Sequence, residues 1–274
     1  MFRTAPSLTA TVCIPARNEQ DSVASVVRGF LEVSRVGGIH EVLVVDDRST
    51  DATARNAARA GARVISTEEL CVGFGGSVGK GDAIWASLRE CQTDLIGWAD
   101  ADLTSFSARG MCEMFRTLRH DPGIQLVKGT FERIRPDGTA SAGRVTTLTA
   151  RPLLTLLHPE LAHLKEPLGG YFAGRTDVIG SLWIDCDYGV DIGIVLDVAA
   201  RFGACAVTET HVGEIRHRSK ELADLSSMSE QVARAILTRS TDRLVCPADL
   251  AARRSPPRMA AGTAATLRRV STGH

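Results

Sequence analysis

The chain has 274 residues with 32 basic and 32 acidic side chains, a formal charge of zero, and 44% apolar residues. That balance leaves no cationic surplus to neutralise a nucleic-acid backbone, and the composition is that of a folded globular protein, not a disordered one. No uncharged apolar run approaches the ~20 residues of a membrane span, and Met1–Thr9 lacks the basic start and apolar run of a secretory signal.

A chain of this length can bury roughly 75% of its unfolded surface, so it folds without disulfides or structural zinc. Its seven cysteines are odd in number, scattered and free of any C-x-x-C pair, which favours reduced thiols in a cytoplasmic setting. Four basic residues are lysines (Lys80, Lys128, Lys165, Lys220) and 28 are arginines.

In chain order, Thr9–Ile14 reads as a short strand closed by Pro15. A helix follows, with Val23, Val26, Val27, Phe30 and Leu31 at helical spacing. Glu41–Val45 is a strand of the continuous apolar kind found in buried parallel sheets. Ser49, Thr50 and Asp51 offer capping side chains to an Ala-rich helix ending near Gly61. Ala62–Ser66 is a third strand. A Gly-rich loop from Gly73 to Gly81 leads into a helix through Ile84, Trp85 and Leu88, and Asp94–Trp98 is a fourth strand running out at Asp100. This series predicts a mostly parallel α/β sheet flanked by helices. Ligands of such sheets sit at the carboxyl ends of the strands, where Asp46, Asp47, Asp100 and Asp102 fall.

The second half is less regular. Strands are predicted at Gln125–Lys128, Leu168–Phe172 and Ala204–Thr208, and helices at Val145–Leu157 (interrupted at Pro152) and Val190–Ala200. A last amphipathic helix carries Leu222, Leu225, Met228, Val232 and Ile236. From Pro247 the chain is Ala-, Arg-, Ser- and Pro-rich without periodicity and reads as a flexible tail, leaving residues 1–246 as one domain. Its halves are a nucleotide-binding part, about 10–104, and an acceptor-binding part, about 105–246.

Two phosphate motifs fail. The Gly73–Gly81 loop resembles a P-loop, but its first Gly is out of register and Lys80 is followed by Gly instead of Ser or Thr. Pro15-Ala-Arg-Asn-Glu19 stands where a dinucleotide G-x-G-x-x-G would follow the first strand. What remains is a lysine at a helix N-terminus, a position suited to a diphosphate. Asp100-Ala-Asp102 carries the metal chemistry. Two carboxylates just past a buried strand are costly without a cation, and hard oxygen ligands suit Mg²⁺ or Mn²⁺ holding a diphosphate. A solvated loop capping a helix near Ser105 would place the same residues there.

The order Ile14-Pro-Ala-Arg-Asn-Glu19, Val44-Val-Asp-Asp-Arg-Ser-Thr-Asp51 and Asp100-Ala-Asp102 resembles the nucleotide-binding half of GT-A (Rossmann-like) glycosyltransferases. Within them the chain is similar to the glucosyl-3-phosphoglycerate synthase family from about residue 10 to 240. The signatures are Gly79-Lys-Gly-Asp-Ala-Ile-Trp85, Leu126-Val-Lys128, Gly143-Arg-Val-Thr146, Ala150-Arg-Pro-Leu-Leu154, Pro167-Leu-Gly-Gly170, Tyr188-Gly-Val-Asp-Ile-Gly193 and Arg216-His217-Arg218.

The resemblance implies a metal-dependent, retaining transferase moving a sugar from a nucleoside diphosphate (UDP or GDP) to a small anionic, 3-phosphoglycerate-like acceptor. Pro15, Ala16, Arg17, Glu19, Asp47 and Ser49 would line the nucleoside pocket, with Lys80, Asp100 and Ala101 at the diphosphate and ribose. Asp102 and His217 would ligate Mg²⁺ or Mn²⁺, imidazole being acceptable to Mn²⁺; taken alone, His217 reads better as a surface histidine in a basic stretch. Gly143, Arg144, Val145 and Thr146 would bind the acceptor's anionic groups through backbone N–H groups and a guanidinium. Leu168, Gly169, Gly170, Tyr171 and Arg218 complete the substrate set. Asp191 is a candidate positioning residue, or simply an acid favoured at a helix N-terminus. The family is thought to let the departing phosphate take the acceptor proton, so no general base is named. Small-molecule substrates, no nucleic acid, no membrane and a homodimer are the implied partners.

Three departures keep alternatives open. Tyr171 and Phe172 stand where the family has Glu then Tyr, Ser219 and Lys220 replace a polar residue and Arg, and Asp47 replaces a serine. An antibiotic-pathway enzyme joining an unusual sugar to a carboxylate-bearing thione such as ergothioneine, in lincosamide fashion, would show this pattern. A sugar nucleotidyltransferase has a similar sheet but needs a Gly-rich triphosphate loop after the first strand. A non-catalytic nucleotide-binding protein is a third possibility, against which both Asp102 and His217 argue.

Overall fold

The computed structural model describes residues 8–71, 79–103, 107–134, 140–141, 143–215, 222–240 and 253–254. The first half follows the expected alternation: β1 (Ala10–Ala16), α1 (Val23–Gly37), β2 (Glu41–Asp46), α2 (Thr53–Ala60), β3 (Arg63–Ser66), α3 (Thr67–Cys71), α4 (Lys80–Glu90) and β4 (Leu95–Trp98). The second half adds α5 (Ala108–His120), β5 (Leu126–Ile134), β6 (Ala140–Ser141), α6 (Arg151–Leu157), β7 (Phe172–Arg175), α7 (Thr176–Gly180), β8 (Ile184–Asp185), α8 (Val190–Phe202), β9 (Val207–Ile215), α9 (Leu222–Ser240) and β10 (Arg253–Arg254).

Eight of the described strands form one sheet in the order β3-β2-β1-β4-β7-β5-β6, with β9 also pairing β5. β1, β2, β3 and β4 are mutually parallel. β7 is antiparallel to both β4 and β5, which turns β5 and its parallel partner β9 the same way as β4. Only β7 and β6 run against the rest, so the mostly parallel sheet is as expected, with one reversed strand at its centre.

Side-chain alternation loads both faces, as a sheet covered by helices on each side requires. Cys13, Leu43, Val45, Ile96, Trp98 and Phe172 join Ile84, Trp85 and Leu88 of α4, Val195 of α8 and Ile236 of α9 in one core. Val12, Ile14, Val42, Val44, Leu95 and Ala173 join Val23, Val26 and Phe30 of α1 and Met111, Met114 and Phe115 of α5 in the other. Full burial of such side chains contributes about 2 kcal/mol each, and these two cores fix the strand ends that carry the polar loops.

The structure moves several expected boundaries. β1 runs through Pro15 to Ala16 because it pairs with β4 only as far as Cys13, so the missing proline N–H costs no ladder bond on that side. The N-cap position of α2 is Ala52, one residue past the expected Ser49–Asp51, and Asp51 Oδ1 accepts the Thr53 backbone N–H at 2.9 Å from just outside the helix. The 145–157 helix breaks as a π-helical turn over Thr146–Ala150, and Pro152 sits harmlessly in the first turn of α6. Ala204–Ala206 is a 3₁₀ turn, with β9 starting at Val207. Of the expected tail, the described pair Arg253–Arg254 is not unstructured: it lies antiparallel to β8. Among the described residues no helix is long and apolar enough to cross a membrane.

The start of α4 is set by a glycine. A Cβ on Gly81 would lie 1.7 Å from the Asp185 carbonyl oxygen, and the Gly81 N–H donates to the Cys186 carbonyl at 3.1 Å. Gly81→Ala is expected to cost roughly 1–3 kcal/mol by displacing this helix start, read as a lower Tm in thermal denaturation. A wild-type Tm would contradict the packing.

Candidate active site

The loops after β1 and β2 are stitched together at the carboxyl edge of the sheet. The Asn18 side-chain carbonyl accepts the Thr50 N–H at 2.9 Å, and the Asn18 N–H donates to Ser49 Oγ at 3.0 Å. The Glu19 N–H donates to Thr53 Oγ1 at 2.8 Å, and Ser22 Oγ donates to a Glu19 carboxylate oxygen at 2.9 Å. Asn18 and Arg48 both adopt left-handed backbone, φ 55° and 57°, a conformation that non-glycine residues adopt only when surrounding contacts impose it. Asp47 is buried, receives Thr67 Oγ1 at 2.9 Å and Arg48 Nε at 3.1 Å, and has exposed Arg17 at 3.8 Å. The loops after β1 and β2 therefore lie together, with Asp47 carrying a ring of its own partners. Ala16 is a core side chain, leaving only its main chain to meet a ligand; Pro15 is half-buried at the same strand end.

Beside these loops, two helix N-termini meet a strand end. Lys80 opens α4, Asp191 lies in the first turn of α8, and Asp100 follows β4. The Lys80 ammonium donates to Asp191 Oδ2 at 3.0 Å and pairs with Asp100 Oδ1 at 3.2 Å. Burial would lower its pKa, but the two carboxylates outweigh burial and raise it. Asp191 is buried and its Oδ1 has no hydrogen-bond partner among the described residues. The ammonium is thus a fixed cation at a helix N-terminus, suited to anionic oxygens.

The third component is the turn before β7. A Cβ on Gly170 would sit 2.4 Å from both carboxylate oxygens of Asp100, so glycine permits the close approach. Lys128 on β5 is buried, donates to the Gly169 carbonyl at 2.6 Å and lies 4.3 Å from the centroid of the Phe172 ring. Burial pushes its pKa down to about 8, with Lys80 adding to the shift and Asp191, Asp100 and Glu166 opposing it. Leu168 is half-buried on the same turn.

One expected ligand side chain is corrected. Tyr171 points away from this cluster into the core under α5: its hydroxyl donates to the Ser107 carbonyl at 2.9 Å and receives the Met111 N–H at 3.2 Å. Alternation explains this, since Phe172 faces Trp98 at 4.7 Å on the opposite face. Ala101 is likewise a core side chain. Of the residues expected to meet an acceptor, Val145 and Thr146 are buried, Gly143 is half-buried and Arg144 is exposed. Thr149 Oγ1 and Ser229 Oγ, 2.6 Å apart, fasten this helix to α9. His217 and Arg218 lie outside the described residues.

Among the described residues no three His, Cys, Asp or Glu side chains gather into a metal cage. Asp102, half-buried just past β4, offers a hard oxygen donor. This donor set fits a divalent ion held by one or two protein groups together with phosphate oxygens, the usual mode for Mg²⁺.

Residues 11–154 match the model for glycosyl transferase family 2. The chain belongs to that family. This glycosyltransferase is 37% identical over 236 residues to the glucosyl-3-phosphoglycerate synthase of Mycolicibacterium smegmatis, spanning 84% of this chain and 77% of that protein. Its fold matches that of the Mycobacterium tuberculosis synthase crystallised with Mn²⁺, UDP-glucose and phosphoglyceric acid, with a TM-score of 0.77 at 35% identity over 85% of this chain and 80% of that one. The crystal form of the same enzyme with Mg²⁺ and UDP gives the same TM-score and identity over 85% of this chain and 79% of that one. These findings establish a GT-A transferase fold and a glycosyltransferase enzyme. They lend no support to the nucleotidyltransferase or to the lincosamide-type thione transferase.

The structure adds contributors that no motif announced. Thr67 holds Asp47, Glu209 accepts two backbone N–H groups ahead of the Gly169 turn, and Lys128, noticed only as part of a signature, holds that turn's carbonyl. A lysine in an otherwise apolar buried strand was the one available signal.

Lys80→Met is expected to lower stability by about 3 kcal/mol by leaving Asp191 buried without its partner, and Asp191→Asn in that background should restore most of the loss. Chemical denaturation checks both; a Lys80→Met variant as stable as wild type would rule the pair out as a structural link. Lys128, whose pKa is about 8 in the fold against 10.5 unfolded, holds its proton more weakly when folded. Stability therefore rises as pH climbs from 8 to 10.5, and Lys128→Met should lose that rise. Parallel wild-type and variant curves would refute it.

Proposed function

We propose that this glycosyltransferase moves glucose from UDP-glucose to the hydroxyl of a phosphoglycerate, with Mg²⁺ or Mn²⁺ bound through Asp102 and His217 and with retention at the anomeric carbon. The observation that carries the proposal is the convergence of Lys80, Asp100 and Asp191 beside the Gly169–Gly170 turn at the carboxyl edge of the sheet. The substrates named for the mycobacterial relatives support the donor and the acceptor.

In this proposal the stitched loops carrying Pro15, Ala16, Arg17, Glu19, Asp47 and Ser49 surround the nucleoside. Lys80 faces the diphosphate as a point charge: with its pKa raised, it contributes attraction and no proton. Asp100 and the backbone of Ala101 sit at the ribose side. When bound, the metal supplies Lewis-acid stabilisation of the leaving diphosphate. Leu168, Gly169 and Gly170 border the sugar, and Gly143–Thr146, Arg144 and Arg218 receive the acceptor's carboxylate and phosphate.

Residues 1–246 work as one catalytic domain in this view, supported by the single sheet running through both halves. A cytoplasmic setting suits the six free cysteines among the described residues. Homodimer formation is supported by apolar surface at Leu148 and Leu156, each 76% exposed.

Thermal-shift titration with UDP, GDP and nucleoside triphosphates, with and without Mn²⁺, tests the donor. UDP should stabilise only when metal is present, by about 2.7 kcal/mol at one hundred times Kd. Metal-independent binding or a preference for triphosphates would overturn the proposal. Asp102→Ala should abolish UDP release from UDP-glucose and 3-phosphoglycerate while the protein stays folded. Turnover with ergothioneine in place of phosphoglycerate would overturn the acceptor.

A further inference from the structure

We propose that Lys128 and Glu209 form a two-point clamp that sets the Gly169–Gly170 turn against Asp100, making both positioning residues for the sugar donor. The clamp starts from register. β5 and β9 are parallel neighbours in which Lys128 stands opposite Glu209, and register partners on adjacent strands project from the same face. The two side chains reach the same segment. Lys128 Nζ donates to the Gly169 carbonyl at 2.6 Å. Glu209 Oε1 accepts the Lys165 N–H at 2.7 Å and the Glu166 N–H at 3.0 Å. Inside the segment, the Gly169 N–H donates to the Glu166 carbonyl at 3.0 Å, and the Tyr171 carbonyl accepts the Gly129 N–H at 2.8 Å. Residues 165–171 are therefore tied to β5 and β9 at their start, middle and end.

The far side of the clamped turn is Gly170, in van der Waals contact with the Asp100 carboxylate. Asp100 in turn is one of the two carboxylates that aim Lys80. A shift of the turn would free Asp100 to rotate and slacken the Lys80 ammonium. Stability alone does not call for a lysine here: a buried ammonium pays a desolvation cost, which an apolar side chain of similar length avoids. Its benefit is the hydrogen bond to the turn.

This inference rests on the donor site proposed above, so the experiment reads the clamp in two ways. Lys128→Met and Glu209→Ala remove one arm each, and Glu209→Gln keeps an acceptor oxygen. Amide hydrogen exchange of residues 165–170 reports the clamp without any substrate. Steady-state kinetics with UDP-glucose and 3-phosphoglycerate, alongside Tm, report its use. At least about tenfold faster exchange, the effect of one lost hydrogen bond, is expected in Lys128→Met, and no less in Glu209→Ala, which loses two. A comparable rise in the donor's KM should accompany it, with the acceptor's KM within about twofold of wild type and Glu209→Gln close to wild type. Unchanged exchange in Glu209→Ala, whose half-buried site tolerates truncation, would overturn the clamp even if Lys128→Met failed to fold. Faster exchange with unchanged donor KM would overturn the positioning role. A wild-type protein that exchanges as described but does not turn over UDP-glucose would instead overturn the donor reading.

Discussion

One ammonium group, Lys80 Nζ, holds three parts of the molecule to a common point. It joins the first residue of α4, the second residue past β4 and the first turn of α8. Bringing a lysine and two carboxylates together at a helix terminus is expensive unless opposite charges meet, and here one ammonium reaches both carboxylates. Much of the surrounding architecture serves that meeting. Gly81 lets α4 press on the Asp185 carbonyl, and Arg239 of α9 pairs with Asp185 at 2.6 Å and Asp197 at 2.9 Å, locking the segment that leads into α8. Removing the pairing would leave the sheet standing but its polar edge without a centre.

That edge divides into two regions with different physics. The side next to β1 and β2 is built from short bonds between neighbouring loops: Asn18 and Glu19 exchange hydrogen bonds with Ser49, Thr50 and Thr53 across about thirty residues of sequence. The turn side depends on side chains reaching from strands, with Lys128 and Glu209 crossing over forty residues to meet Gly169 and Lys165. Short bonds between adjacent loops make a rigid cup. Long side chains bearing on a glycine turn make a surface whose position depends on a few atoms.

The same division explains what could be read from sequence. Buried strands ending in Asp46 and Asp100 announce themselves, because apolar runs that stop at acids mark the carboxyl edge of a parallel sheet. The Lys80–Asp191 pair spans 111 residues, and no local pattern states such a distance. The direction of Tyr171 is hidden from the sequence for a simpler reason. Two consecutive aromatics in a strand must face opposite ways, and nothing in Gly169-Gly-Tyr-Phe172 says which one faces the ligand edge. Packing decided it: Phe172 stacks on Trp98, and the Tyr171 hydroxyl found the backbone at the start of α5.

The reversed direction of β7 has a consequence for how such an enzyme can diversify. Because β7 runs against β4 and β5, its beginning, not its end, meets the edge where ligands collect. The segment delivered there is the connection from α6, whose upstream portion includes the exposed residues Glu160, His163 and Lys165. Insertions or exchanges in that connection can reshape this edge of the sheet without touching β1, β2 or the bonded loops that follow them. The fold thus separates a part whose shape is fixed by bonds between loops from a part that can change in length without disturbing them.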